Sequence, residues 1–353
     1  MASWTKAWLP CENGELVEMV LPEVISASRS TDIPAFYADW FFHRLKVGYS
    51  AWTNPFNGVR SYVSYQHTRF IVFWSKNPRP LLSHLAELEE RGIDCYIQYT
   101  LNDYHLEGLE PEVRPLGERI DTFKRLVDRL GSSRVIWRFD PLILTDQITQ
   151  DALLEKVQRI GEQLRGYTEK LVFSFADIVT YKRVKGNLDR LGVHYREWDE
   201  TSMRLMAEGL ARLNQSWGLR LATCGERIDL TELGIERNHC VDDELMIRLA
   251  YRDKALMDFL KVRIESMPTA SLFDTEPALP AGAILLPDGR YAVRGNNRDS
   301  GQRLYCGCMR SKDIGEYNTC IHSCAYCYAN TSSEAARANY NRFRCKPFGE
   351  SIG

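Results

Sequence analysis

Residues 116–141 read LGERIDTFKRLVDRLGSSRVIWRFDP. The first part is helix-like and stops at Gly131, a residue suited to a left-handed helix cap. The second part, VIWRF, is a short apolar run that ends in Arg138 and Asp140. A helix feeding a buried strand with polar residues at its carboxyl end is one half of a β/α repeat.

The same alternation extends in both directions. Upstream lie EVISASR (23–29), PAFYADWFFHRLKVG, YSAWTNP, TRFIVFWSKNP, RPLLSHLAELEERG and DCYIQYTL. Downstream, QDALLEKVQRIGEQLRG leads into KLVFSFAD, and ETSMRLMAEGLARLNQSWG leads into LRLATCGE. This gives seven strand-like runs, near-continuously apolar, as expected of parallel strands covered on both faces. Their carboxyl ends carry Ser28-Arg29, Thr53-Asn54, Lys76-Asn77, Gln98 with Thr100, Arg138 with Asp140, Ser174 with Asp177, and Thr223-Cys224 with Glu226. Parallel α/β folds build their sites at that end. The fold class expected is therefore α/β, a partial or complete TIM-type β/α barrel with a polar mouth, over residues 21–265. Residues 1–20 form an N-terminal extension.

After residue 265 the composition shifts to Pro, Ala and Gly, and 266–300 reads as a linker with a hairpin turn at Asp288-Gly289. Residues 301–353 carry six of the ten cysteines and too little apolar material for a core of their own. They are expected to fold back on the barrel as a cluster-binding segment.

The 353-residue chain is 44% apolar, 26% charged and near neutral, at −2, which argues against nucleic acid or an anionic membrane as partner. No apolar run approaches a membrane span, and the opening MASWTKAWLPCENGEL lacks the apolar core of a signal peptide. A cytoplasmic location is expected, where ten cysteines do not form a disulfide framework. Clustered cysteines then point to metal.

The clearest cluster is NTCIHSCAYCYAN (318–330), with Cys320, Cys324 and Cys327 spaced C-x3-C-x2-C. Three thiolates on one tight loop suit a soft, sulfide-bridged iron group and leave one iron open. Cys224, Cys240, Cys306 and Cys308 are a second set, open to three readings: an auxiliary [4Fe–4S] cluster, a structural zinc, or unliganded thiols. Cys11, Cys95 and Cys345 are scattered and carry no assigned role.

CIHSCAYC resembles the radical S-adenosylmethionine (SAM) signature, with Tyr326 in its aromatic position. In that superfamily the three cysteines hold a [4Fe–4S] cluster whose open iron chelates SAM, and one electron cleaves SAM to start radical chemistry. VISASRSTDIP, FWSKNPRPLL, VIWRFDP, TCGE and the cysteine loop together resemble a bacterial family catalogued as domain of unknown function 1848. That family looks like a radical-SAM barrel with its cluster loop moved to the C-terminal end. The cluster loop alone is also similar to that of spore photoproduct lyase.

The resemblance implies an enzyme with one or two [4Fe–4S] clusters and SAM, a reductant such as flavodoxin or ferredoxin, and a small-molecule or peptide substrate of unspecified identity. It makes Cys320, Cys324 and Cys327 the SAM-cluster ligands, with Tyr326 beside them. No Gly-Gly-Glu stretch is present for the SAM amino group. Arg29, Lys76 and Arg138 are the cations at strand ends, while Asn54, Asn77, Gln98 and Thr100 are candidates for ribose or substrate. Arg138, Asp140 and Glu226 are the candidate catalytic residues, and Asp140, Asp177 and Glu226 could receive the SAM amino group or act as acid or base. The competing expectation is a zinc- or iron–sulfur-stabilised protein that binds or transfers electrons without catalysis.

Overall fold

The computed structural model describes residues 4–54, 57–267 and 279–353. The linker expected over 266–300 falls partly on 268–278, outside the described residues. The chain opens with β1 (Lys6–Pro10) and β2 (Leu16–Val20), then β3 (Val24–Ala27), α1 (Ile33–Phe36), α2 (Ala38–Val47), β4 (Tyr49–Thr53), β5 (Arg60–Ser64) and β6 (Phe70–Ser75). It continues through α3 (Leu85–Glu90), β7 (Asp94–Thr100), α4 (Leu116–Leu130), β8 (Val135–Leu142), β9 (Leu144–Thr145), α5 (Gln150–Leu164) and β10 (Lys170–Phe175). Next come α6 (Lys182–Arg190), β11 (Tyr195–Arg196), α7 (Glu200–Asn214), β12 (Arg220–Thr223), β13 (Ile235–Arg237), α8 (Asp243–Ala250) and α9 (Lys254–Phe259). The last elements are β14 (Arg263–Glu265), β15 (Ile284–Leu285), β16 (Tyr291–Val293), β17 (Lys312–Asp313) and α10 (Ser333–Cys345).

An eight-stranded sheet in the order β13-β12-β10-β8-β7-β6-β3-β17 is the frame, and every pairing in it is parallel. Alternate residues divide its two faces, as strand geometry requires. Ile25, Phe73, Ile97, Trp137 and Phe173 share one core with the apolar stripes of α2, α3, α4, α5 and α7. Val24, Val72, Tyr96, Ile136 and Val172 share the other with α8, α9 and the β15–β16 hairpin, whose turn is at Asp288-Gly289. This double covering explains why the strands read as unbroken apolar runs.

Two features depart from the expected barrel. The sheet is not closed: among the described residues no ladder joins β13 to β17. Among the described residues one backbone bond, from Met309 N–H to Val241 O (3.0 Å), bridges the chain segments at the two edges. In addition, the run YSAWT is not in this sheet. As β4 it pairs antiparallel with β5 in a side sheet ordered β1-β2-β5-β4, because a polar strand missed in the sequence, RSYVS, turns straight back on it. The expected N-terminal extension thus contributes Lys6–Pro10 and Leu16–Val20 to that side sheet. No helix is long and apolar enough to cross a membrane among the described residues.

Candidate metal centre

The tail is pinned to the carboxyl end of the sheet. β17 pairs with β3, and the Asp313 carboxylate accepts from Ser26 Oγ (2.8 Å) and Arg29 N–H (2.9 Å). Gly315 then passes the Ser28–Ser30 turn so closely that a Cβ there would lie 1.7 Å from Ser28 Oγ. Only glycine fits that approach.

Asp32, in the turn RSTDIP, holds three groups together. One oxygen caps α1 at Ala35 N–H (2.9 Å); the other accepts from Lys76 N–H (2.7 Å) and meets His322 Nε2 (2.8 Å). Tyr37 OH donates to Thr319 O (2.6 Å), and Phe36 and Tyr37 receive the aromatic face of α10 at Tyr340 and Phe343. His322 is therefore buried against α1.

The cysteine loop is closed at its neck. Asn318 sits at φ 59°, tolerable for Asn, and its side-chain oxygen accepts from Thr331 N–H (2.5 Å). Asn330 Nδ2 donates to Cys320 O (2.6 Å), and Cys327 N–H to Cys324 O (3.1 Å). Burial pushes all three thiols up, reinforced at Cys320 by Asp32 and at Cys324 by Glu110, and opposed by Lys76 at Cys324 and Cys327.

The other four cysteines converge from distant elements. Cys224 follows β12, Cys240 follows β13, and Cys306 and Cys308 precede β17. Cys224 and Cys240 Sγ are 3.2 Å apart, and Cys308 Sγ accepts from Cys240 N–H (3.2 Å) and Val241 N–H (3.4 Å). Asn238 Nδ2 (3.0 Å) and Arg138 Nη1 (3.1 Å) both donate to Cys240 Sγ. The hydrogen bond with Cys308 lowers Cys306 to about 7, against burial.

A hydrogen-bonded chain joins the two sets. Lys76 Nζ contacts Glu110 Oε1 (2.7 Å) and Tyr326 OH (2.9 Å), and Tyr326 OH donates to Glu110. Asn102 Nδ2 donates to Tyr326 OH (3.0 Å) and Asp140 O (3.2 Å), and its Oδ1 accepts from Asp140 N–H (2.9 Å). Asp140 pairs with Arg138 and accepts from Ser174, and Arg138 reaches Cys240. Burial raises the Asp140 carboxyl, but Arg138 and Ser174 outweigh it and hold it low. Burial pushes Glu226 up to about 7; its Oε1 accepts from Phe175 N–H (3.0 Å).

The residues singled out in the sequence fall into distinct places. Lys76 and Tyr326 stand at the triad, while Arg138, Asp140 and Glu226 stand by the tetrad. Gln98 is consumed in supporting the tetrad, donating to Cys240 O (2.8 Å) and accepting from Arg138. Arg29 faces Cys308 and Cys240 and lies over Trp74, 5.5 Å from the ring centre. Thr100 ends β7, and Asn77 follows β6 with its N–H on Ser75 Oγ (2.9 Å). Asn54 is the exception: its backbone closes the β4–β5 turn with Val59 and Gly58, in the side sheet rather than at a main-sheet strand end. Cys11 and Cys95 are buried in packing, Cys95 pushed up to about 12 by burial, and Cys345 is exposed. The sequence reading missed Asp32, Asn102, Glu110, Trp74 and Asn238. Of these only Asp32 had a visible signal, as the cap of a helix.

Soft thiolate donors in these numbers suit an iron–sulfur group. Arg29 Nη2, Glu110 Oε2, Asn238 Oδ1 and His322 Nδ1 are buried around the thiols without hydrogen-bond partners. Such orphans cost about 1–3 kcal/mol each and persist where something else satisfies them. A tetrahedral zinc would draw its sulfurs to about 3.8 Å of one another, from Zn–S bonds of about 2.3 Å. Among the described residues, the group of three donors gathered within 4.8 Å is His239, Asp242 and Asp243, not any three of these thiols. That group is already engaged by Lys170 and Arg294.

A family model described as Domain of unknown function (DUF1848) matches residues 24–329, which span both cysteine sets. No curated protein and no solved structure matches.

Proposed function

The chain belongs to the DUF1848 family, and from that premise we propose that it is a radical SAM-type iron–sulfur enzyme on a partial TIM-type barrel. The observation that carries the proposal is the triad itself: three thiols on one closed loop, held at the carboxyl end of a parallel sheet beside a buried, charged network. Cys320, Cys324 and Cys327 would hold a [4Fe–4S] cluster with one iron open, and Cys224, Cys240, Cys306 and Cys308 a fully ligated second one. When bound, the triad cluster and SAM supply reductive cleavage of the sulfonium and a radical able to take hydrogen from a small-molecule or peptide substrate.

The chain's own residues bind, orient and shield. Glu110 has one carboxylate oxygen on Lys76 and Tyr326 and the other buried without a partner, and we assign that second oxygen to the SAM ammonium group. It takes the place of the absent Gly-Gly-Glu stretch. Lys76 keeps Glu110 ionised, and Tyr326 fixes its orientation. Phe36 and His322, ring centres 4.6 Å apart, cover the cluster loop on the α1 side. A low-potential flavodoxin or ferredoxin in the cytoplasm would supply the electron.

The test is iron and sulfide per chain after anaerobic reconstitution, with SAM cleavage followed under dithionite. About eight irons are expected in the wild type and about four in Cys320→Ala/Cys324→Ala/Cys327→Ala, with 5′-deoxyadenosine formed by the former only. Zinc without iron in the wild type would overturn the proposal and leave a zinc-stabilised binding protein. Iron without SAM cleavage would leave an electron-transfer protein.

A further inference from the structure

The cysteine loop has an inner and an outer side. Tyr326 turns inward, to Lys76 Nζ (2.9 Å), Asn102 Nδ2 (3.0 Å) and Glu110, the side assigned above to SAM. Ile321, the neighbour of Cys320, lines a cleft of about 320 Å³ on the outer side. The other residues lining it are Glu112, Arg337, Tyr340 and Asn341. Three of these belong to α10, which is fastened to the loop by Asn339 Nδ2 donating to Asn318 O (2.8 Å). Tyr340 of the same helix packs on Phe36, ring centres 6.0 Å apart, and Phe36 packs on His322 of the loop. The cleft and α10 are thus the outward face of the Cys320 end of the triad.

That face is basic. Residues 335–349 hold four cations, Arg337, Arg342, Arg344 and Lys346, and no carboxylate. All four side chains are exposed. Arg337 is paired with Glu112 (2.6 Å) at the cleft, and the other three have no carboxylate within ion-pair distance among the described residues. The acids nearby are placed or engaged elsewhere. Glu334 stands in the first turn of α10, about 12–15 Å along the axis from Arg342 and Arg344 at 1.5 Å per residue. Glu350 is bound to Arg60 (2.6 Å), and Asp39, one turn before His43 on α2, is bound to His84 (2.8 Å). Phe348 is 52% exposed and lies beside His43, ring centres 4.8 Å apart. The helix dipole favours cations in a last turn, but it gives no reason for an exposed Phe next to them or for a cleft that reaches the cysteine loop.

A protein that reduces the triad must bring its own redox group close to the loop, and the inner side is taken by SAM and substrate. We propose that the face of α10, from the cleft at Ile321 to Phe348, is the docking surface of an acidic one-electron carrier protein. This rests on the radical SAM reading given above and names where its reductant binds. Arg342, Arg344 and Lys346 steer the carrier by complementary charge, and Phe348 supplies an apolar anchor, aromatic and Arg residues being enriched in contact surfaces. The transfer is one electron: the carrier is oxidised by one, the triad group is reduced by one, and no bond is made or broken. A nucleic acid fits this face less well. It is held by many phosphate contacts, which three unpaired cations do not supply, and it gains nothing from a cleft at the cysteine loop.

The experiment uses the reconstituted protein, with photoreduced flavodoxin as the probe carrier. Calorimetry at low ionic strength measures binding, and freeze-quench electron paramagnetic resonance follows reduction of the iron–sulfur group. Dithionite in place of flavodoxin gives the rate that needs no docking. Arg342→Glu/Arg344→Glu/Lys346→Glu is expected to slow reduction by flavodoxin about tenfold or more and to abolish measurable binding, with iron content and the dithionite rate unchanged. Arg342→Lys/Arg344→Lys should keep most of the flavodoxin rate, and added salt should bring the wild type toward the Glu variant. Equal flavodoxin rates in wild type and Glu variant, both holding iron, would overturn the inference alone. Binding of a single-stranded oligonucleotide by this face in place of flavodoxin would overturn it too. Docking and reduction by flavodoxin without cleavage of SAM would remove the radical reading and keep the surface, as that of an electron-transfer protein.

Discussion

At the scale of single residues, neighbouring cations decide which way a buried carboxyl shifts. Glu110 and Glu316 are 1% and 8% exposed. Burial raises both, but Lys76 and Arg119 reverse it at Glu110 and bring that group to about 2, whereas Glu316 is left at about 7. The ordinary value of 4.5 stands for the unfolded chain. A depressed folded value contributes stability above the unfolded value and loses it as pH falls from about 4.5 to about 2, roughly 3 kcal/mol in all. Glu110→Gln removes that contribution and strands Lys76, so the metal-free protein should lose on the order of 3–5 kcal/mol at pH 7 by urea unfolding. An unchanged midpoint would mean that the pair is solvated. Glu316 works the other way. Its cost is absent below about pH 4.5, grows to about pH 7, and then levels at roughly 3 kcal/mol. Glu316→Gln is expected to match the wild type at pH 4.5 and exceed it at pH 8; equal stability at both would refute the assignment.

At the scale of elements, close packing shows where sequence pattern stops being informative. Gly161 lies inside α5, where propensity alone favours Ala by up to about 1 kcal/mol. Yet a Cβ at 161 would lie 2.4–2.7 Å from the ring of Trp217, which is held between Trp137 and Glu162 and has nowhere to swing. Overpacking costs about 1–3 kcal/mol, so Gly161→Ala should lower the melting temperature. Gly186, inside α6, has nothing within 4 Å of its Cβ position, and Gly186→Ala should raise it. The reverse order would show that propensity outweighs packing here. The alternation of helix and parallel strand was legible because each strand is covered on both faces and reads as a continuous apolar run. β4 misled because five residues of such a run satisfy a side sheet equally well, and its partner Arg60–Ser64 is too polar to be recognised alone. The triad was legible because its spacing is local. Asn102 and Glu110 were not: they lie in an irregular loop with no period or motif, and only the folded chain brings them to Tyr326.

At the scale of the whole molecule, the two cysteine sets constrain the chain differently. A group held by the triad would cross-link a loop already closed by Asn318, Asn330 and Thr331. A group held by the tetrad would join the ends of β12 and β13 to the segment entering β17, across α8, α9 and the hairpin. That segment is the chain's route from one edge of the open sheet to the other, where β17 pairs with β3 through two residues. Cross-linking so long a loop removes more chain entropy than closing a short one, about 4.7 against about 3 kcal/mol for loops of about 100 and 15 residues. It would also clamp the edge of the frame that is paired through the fewest residues. Hydrogen exchange on anaerobically reconstituted proteins separates the two effects. In Cys306→Ala/Cys308→Ala, faster exchange should spread through 306–315 and into β3, because the edge strand loses its anchor. In Cys320→Ala/Cys324→Ala/Cys327→Ala it should stay within 318–331, since α10 and the last residues remain fastened through Tyr37–Phe343, Trp40 Nε1 to Gly349 O (2.8 Å) and Ala51 N–H to Glu350 O (2.7 Å). Confined exchange in both variants would mean that the sheet edge holds without the tetrad, and that those four thiols serve chemistry alone.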